Sequence, residues 1–155
     1  MELAHHQPSQ LPQDIQKEIF EASKKGLDAL EIGNGASHPE FIISSKGIYV
    51  TEIGARMGGD FIGSDLVYLS TGYDFLKGVL QVAVGKFEIP EKSHKKFSGV
   101  YFYSEISKHV REFIDNEDQH NIVRSEITSE ELIPLKQSAD RSGYCIYQAE
   151  KRIKI

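Results

Sequence analysis

Cysteine is nearly absent from this 155-residue chain, which carries one, Cys145. No disulfide framework can form within it, and a cytoplasmic setting is expected. Long apolar runs are missing too: none approaches the roughly 18 residues that a membrane span needs. The opening segment MELAHHQPSQLPQ has no apolar core, so it does not read as a secretory signal. An excess of positive charge is also absent. The net charge is −5, with Lys and Arg scattered along the chain, so there is no electrostatic footprint for nucleic acid. There is no internal repeat, no long low-complexity tract, and no Cys–His or Ser–His constellation of the kind used for nucleophilic catalysis. What remains is a chain long enough to bury a real core, with a hydrophobic fraction of 39% and a charged fraction of 26%, the balance of an ordinary globular protein.

The most regular pattern lies near the start. Pro12 suits the first turn of a helix, and Ile15, Ile19, Ala22, Gly26 and Leu30 recur at helical spacing. A helix is predicted over about 12 to 25, after a disordered lead-in at 1–11 that includes His5 and His6. Leu27 to Ile32 is read as a short strand before the Gly33-Asn34-Gly35 break. Further on, Ser64-Asp65 is expected to cap a short helix, DLVYLS, ended at Thr71-Gly72. Asp74 opens a second helix, with Phe75, Val79, Val82 and Ala83 as its apolar stripe and Gly85 as its stop. Residues 86 to 98 read as a polar linker in which Lys92, Lys95 and Lys96 are solvated. GVYFYSEI, NIVRSEI and YCIYQAE read as strands, with helical turns through HVREFI and Tyr101, Tyr103, Tyr144 and Tyr147 packing a sheet. His94, His109 and His120 are expected to be isolated and exposed.

The stretch from Ala36 to Gly63 carries the chemistry. FII and IYVTEI alternate like two strands joined by Ser45-Lys46-Gly47, a three-residue connection with glycine last. If Ser44 pairs with Ile48, Ile42 faces Val50 and Glu40 faces Glu52. The two glutamates then project from one face as cross-strand neighbours, roughly 5 Å apart. Like charges at that spacing repel, so either one carboxyl stays protonated or a cation sits between them. Ile42, Ile48 and Val50 on the same face imply that it is partly buried, and a buried acidic pair needs a partner. Four residues past Glu52 stands Arg56, followed by a loop with Gly58, Gly59 and Gly63. Taken singly, paired glutamates read as a solvated face, the arginine as a surface ion pair and the glycines as a turn. Together they read as a site for a metal and a phosphate. His38 is read as a turn histidine, Asp60 and Ser64 as residues able to reach substrate or phosphate, and Asp65 as helix-start electrostatics.

Glu40 in HPEF, followed about a dozen residues later by Glu52 and Arg56 in TEIGAR, resembles the C-terminal half of the ATP-grasp fold, and more particularly its carboxylate–amine ligases. The glycine-rich stretch and STGYDFLKGVLQVAVG are similar to that family as well, and so is DRSGYCIYQAE near the end. The likeness covers residues 12 to 85, and 135 to 150 more loosely. It implies an α+β partial ATP-grasp fold: an antiparallel sheet with helices packed on it, plus a small β-rich C-terminal cap. In those terms the chain divides into the lead-in at 1–11, a metal and phosphate half-site at 12–88, a linker at 89–98 and the cap at 99–155.

The resemblance also implies roles. Glu40 and Glu52 would hold one or two Mg2+ (or Mn2+) ions bridging the phosphates of ATP, for which hard oxygen ligands are suited. Gly58 and Gly59 would line the nucleotide site. Arg56 would steady the transferred phosphate, or the acyl phosphate formed when ATP activates a small carboxylate substrate, and an amine would then attack that acyl phosphate. The wording EIGARMGGDFIG leans toward amino-acid ligation. Two departures stand out. Gly54 occupies the place where the family usually has an Asn that binds the second metal, and the N-terminal half that covers ATP from the other side has no counterpart. The chain then reads as a truncated or split product, a fragment, or a piece that works with another chain carrying that half or as a homo-oligomer. It is not expected to catalyse ligation alone. The alternative is a non-catalytic or degenerate module that docks onto a partner.

Overall fold

The computed structural model describes residues 1–91, 93–116 and 121–155, so Lys92 and His120 lie outside the described residues. In chain order the elements are strand β1 (Ala4–Gln7), helix α1 (Gln13–Ala29), strands β2 (His38–Ser44) and β3 (Gly47–Gly54), a π-helical turn (Ile62–Leu66) leading into helix α2 (Val67–Thr71), helix α3 (Phe75–Ala83), strand β4 (Phe97–Tyr103), helix α4 (Val110–Asp115), and strands β5 (Ile122–Ile127) and β6 (Gly143–Ala149). This is the expected mixture of helices and antiparallel sheet. The chain divides into two compact units. One comprises Met1–Pro8, Asp60–Tyr73 and Glu91–Ile155; the other comprises Ser9–Gly59 and Asp74–Pro90.

The first unit is built on a four-stranded antiparallel sheet in the order β1-β4-β6-β5. Its central strands are the aromatic runs GVYFY and YCIYQ, buried along most of their length. Alternation sends their side chains to two faces. Val100 and Phe102, paired with Ile146 and Tyr144, pack with Leu66 and Leu69 on one face. Tyr103 and Cys145 pack on the other with Val110, Phe113 and Ile114 of α4. Full burial of a side chain such as Val100 or Ile146 stabilises by about 1.5–3 kcal/mol, which makes these two strands the anchor of the unit.

Residues 1–11 are not a disordered lead-in. Ala4–Gln7 is β1, the outer strand beside β4, with Ala4 opposite Tyr101 and His6 opposite Gly99. A strand reading AHHQ carries no apolar signal, and the edge of β4 supplies its hydrogen-bonding partners instead. The helix expected at 65–70 begins earlier, as the π-helical turn, because Asp60 and Phe61 both take left-handed backbone angles (φ 50° and 66°) and Phe61 O accepts from the amides of Asp65 and Leu66. His94 is not isolated: its Nε2 lies 3.1 Å from Leu69 O, near the end of α2. His109 is exposed, as expected.

The second unit combines α1, the β2–β3 hairpin and α3. Helix α1 runs to Ala29, so the strand expected over Leu27 to Ile32 does not form. Gly26 lies within the helix, and α1 packs closely against β3 there: a Cβ at 26 would meet Ile53 Cδ1. Asp74 caps α3 as expected, its Oδ1 accepting from Lys77 N at 2.9 Å.

Candidate functional site

The hairpin differs from its expected register in two ways that offset each other. Ser44 pairs with Gly47, Ile43 with Ile48, Ile42 with Tyr49 and Phe41 with Val50. The connection is thus two residues, Ser45 and Lys46, with Gly47 at φ 133°, a value that favours glycine. A bulge between Glu40 and Phe41 then leaves Thr51 as an extra residue on β3, and Glu40 comes back opposite Glu52. The acidic pair therefore stands where it was expected, but the apolar residues around it do not. Val50 lies opposite Phe41 and has left the face of Ile42 and the glutamates. The face itself is open: Ile42 is 58% exposed and Tyr49, opposite it, 51%. The inference that the carboxylates are partly buried is corrected, since a two-stranded hairpin has no layer over that surface.

The carboxylates have separate partners. Glu40 Oε1 lies 3.5 Å from His38 Nε2, and Glu52 Oε1 accepts from Arg56 Nη2 at 3.4 Å. Their side chains are 44% and 54% exposed. Arg56 also donates from Nη1 to Met57 O at 3.1 Å. Gly54 eases this fold-back, since a Cβ there would lie 3.3 Å from Arg56 Cγ, a tight contact, and 3.5 Å from its Nε. The glycine that stands where the family usually has Asn thus leaves room for the arginine to reach Glu52.

His38, Glu40, Glu52 and Arg56 are therefore gathered at the open end of the hairpin. Gly58 and Gly59 follow in irregular backbone, and a Cβ at Gly59 would meet nothing within 4 Å. Among the described residues no group of three or more His, Cys, Asp or Glu side chains could hold a metal by itself. Mg2+ rarely requires such a cage: it is bound through one or two carboxylates and completes its shell with phosphate and water. Two solvent-facing glutamates fit that pattern, and would leave Arg56 able to meet an anion beside the ion.

Asp60 and Ser64 belong to the first unit and are engaged there. Asp60 Oδ2 accepts from Arg141 Nη1 at 2.8 Å and lies 3.1 Å from His5 Nε2. Burial alone would raise the Asp60 carboxyl, but the hydrogen bonds from Arg141 and His5 outweigh it and hold it below the ordinary carboxylate range. Ser64 donates to Asp65 Oδ2 at 2.5 Å, and Asp65 Oδ1 accepts from Arg124 Nη1 at 3.2 Å. Asp65 therefore makes a specific ion pair, beyond its role at a helix start. Arg141 and His5 carried no signal in the sequence, because Arg141 and Asp60 stand 81 residues apart.

No family model matches the sequence, and no curated protein matches it. Solved structures match its fold. L-amino acid ligase from Bacillus licheniformis is similar over 97% of this chain and 41% of its own, with a TM-score of 0.76 and 21% identity. Phosphoribosylglycinamide synthetase from Anaerococcus prevotii is similar over 96% and 40%, at TM-score 0.73 and 19% identity. A biotin carboxylase from Campylobacter jejuni, solved as a complex with β,γ-ATP, is similar over 97% and 35%, at TM-score 0.58 and 16% identity. The chain thus spans about two fifths of the length of the first two. No helix among the described residues is long and apolar enough to cross a membrane.

Proposed function

We propose that this chain, a partial ATP-grasp domain by its fold, supplies magnesium and phosphate ligands to an ATP-dependent carboxylate–amine ligase. The observation that carries this reading is the cross-strand pairing of Glu40 with Glu52, with Arg56 reaching back to Glu52 from four residues on. The two carboxylates would bind a divalent ion, which when bound neutralises phosphate charge and orients the transferred group. Arg56 would exchange its contact with Glu52 for the anionic oxygens of the phosphate or acyl phosphate, where its planar guanidinium donates in pairs. His38 beside Glu40 would orient that carboxylate. Catalysis of this kind rests on positioning and electrostatics, and needs few groups that move protons.

Binding of Mg-ATP by the full chain is the direct test. Titration calorimetry should show magnesium-dependent heat that weakens at least about tenfold, about 1.4 kcal/mol, in Glu52→Ala and in Glu40→Ala. Equal heats from wild type and both variants would remove the metal role from these residues.

A second reading is favoured by a separate observation. In the second unit, α1 and the hairpin bury no residue fully, and α3 buries only Gly78. A unit so short of core is the form expected of a module that completes its packing on another polypeptide, with or without catalysis. A partner carrying the rest of the fold would serve both readings.

A further inference from the structure

We propose that acidification releases β1 from the edge of the first unit's sheet, and that His6 is the residue that responds. This inference is independent of the ligase reading. Strand β1 is four residues long, lies outermost in the sheet and pairs only with β4. Its two histidines point to opposite faces. His5 turns toward Asp60, with Phe102 edge-on to its ring at 5.9 Å. His6 turns to the other face, where its Nδ1 meets Tyr147 Oη at 3.0 Å and its ring packs against Tyr101 at 4.9 Å. Gly99, opposite His6 in the register, is the floor of this socket: a Cβ there would lie 2.6 Å from His6 Nδ1.

Among the described residues, the charges that act on the imidazole are positive. Strand β4 presents the Tyr101 hydroxyl and β6 the Tyr147 hydroxyl, whose burial pushes it up to about 12, so it stays neutral. The C-terminal segment brings the Arg152 guanidinium, and His5 stands next in sequence. Desolvation first, then the charges of Arg152 and His5, lower the His6 imidazole from 6.5 to about 4. In the detached strand His6 regains its ordinary affinity for protons. Its contribution to the seating of β1 is therefore complete above pH 6.5 and is lost as pH falls from there toward about 4. Acid thus loosens the His6 face of β1.

Amide hydrogen exchange on the full chain, corrected for intrinsic rates, tests this. Between pH 7.5 and pH 5 the protection of β1 and of the Phe102 amide, which donates to Leu3 O, should fall by about tenfold, with the β5–β6 ladder unchanged. In His6→Gln the fall should disappear. Constant protection of β1 across this range overturns the proposal, as does an equal fall in His6→Gln. If His6→Gln fails to seat β1 even at pH 7.5, the wild-type pattern decides: loss confined to the β1–β4 edge supports the proposal, and uniform loss over the sheet overturns it.

Discussion

Replacing Gly99 with alanine should cost about 3 kcal/mol of folding stability, at the upper end of what overpacking usually does. One added methyl has nowhere to go. It would sit 2.5 Å from Tyr147 Cε1, 2.6 Å from His6 Nδ1 and 2.8 Å from the carbonyl oxygen of His5. Tyr147 is fully buried and cannot swing aside, and the His5 carbonyl belongs to a backbone already laddered to β4. Propensity alone predicts the opposite sign, because glycine inside a strand is worse than alanine by about 0.5–1 kcal/mol. The two effects are therefore easily told apart. Urea unfolding should show a lower midpoint with an unchanged slope. A second variant, Gly99→Ala with His6→Ala, should lose less than the sum of the single changes, since removing the ring relieves one of the three collisions. A midpoint equal to or above that of the wild type would mean that β1 does not sit against β4 as described.

Loss of the Arg141 guanidinium should be nearly as damaging. Its side chain is only 7% exposed, and it ties three separate segments together. Nη1 donates to Asp60, Nη2 donates to Glu2 O at 2.7 Å, and the guanidinium lies 3.7 Å above the Phe102 ring. Breaking a fully buried ion pair by removing one partner costs about 3–5 kcal/mol. Asp60 keeps partial access to water and retains His5, so Arg141→Met, which preserves much of the apolar stem, should cost about 2 kcal/mol. The pH dependence carries a second signature. A carboxyl held below its ordinary value of 3.8 contributes stability above that pH and loses it as the solution is acidified through its folded value. Arg141→Met should weaken this acid limb, and Asp60→Asn, which removes the titrating carboxyl, should abolish it. Two variants of wild-type stability would show that the network is a surface decoration.

Much of this architecture was legible in the residues. Helix α1 announced itself by the spacing of Ile15, Ile19 and Ala22, and β4 and β6 by dense aromatic and β-branched runs that only a buried sheet accommodates. The facing of Glu40 and Glu52 was legible for an incomplete reason. A turn one residue shorter than expected and a bulge at Thr51 shift the register in opposite directions, so the pair meets while Ile42 and Val50 part. Pattern matching sees alternation but cannot see a bulge, and the expected burial of that face failed with it. Strand β1 was invisible because its stability comes from what lies beside it: the unpaired edge of β4, the gap at Gly99 and the Tyr147 hydroxyl. The anchoring of Asp60 by Arg141 was invisible for a related reason, since no local rule links residues so far apart in the chain.

Cys145 gives the sheet its own chemical clock. The thiol lies at the centre of β6 with no exposed surface, and burial pushes it up to about 12, so the reactive thiolate is all but absent at neutral pH. Because it is the chain's one sulfhydryl, alkylation by iodoacetamide followed by mass spectrometry should register each moment at which the innermost strands part, without any engineered label. A reagent that modified the native protein at the rate of a free thiol would place that strand on the outside of the molecule.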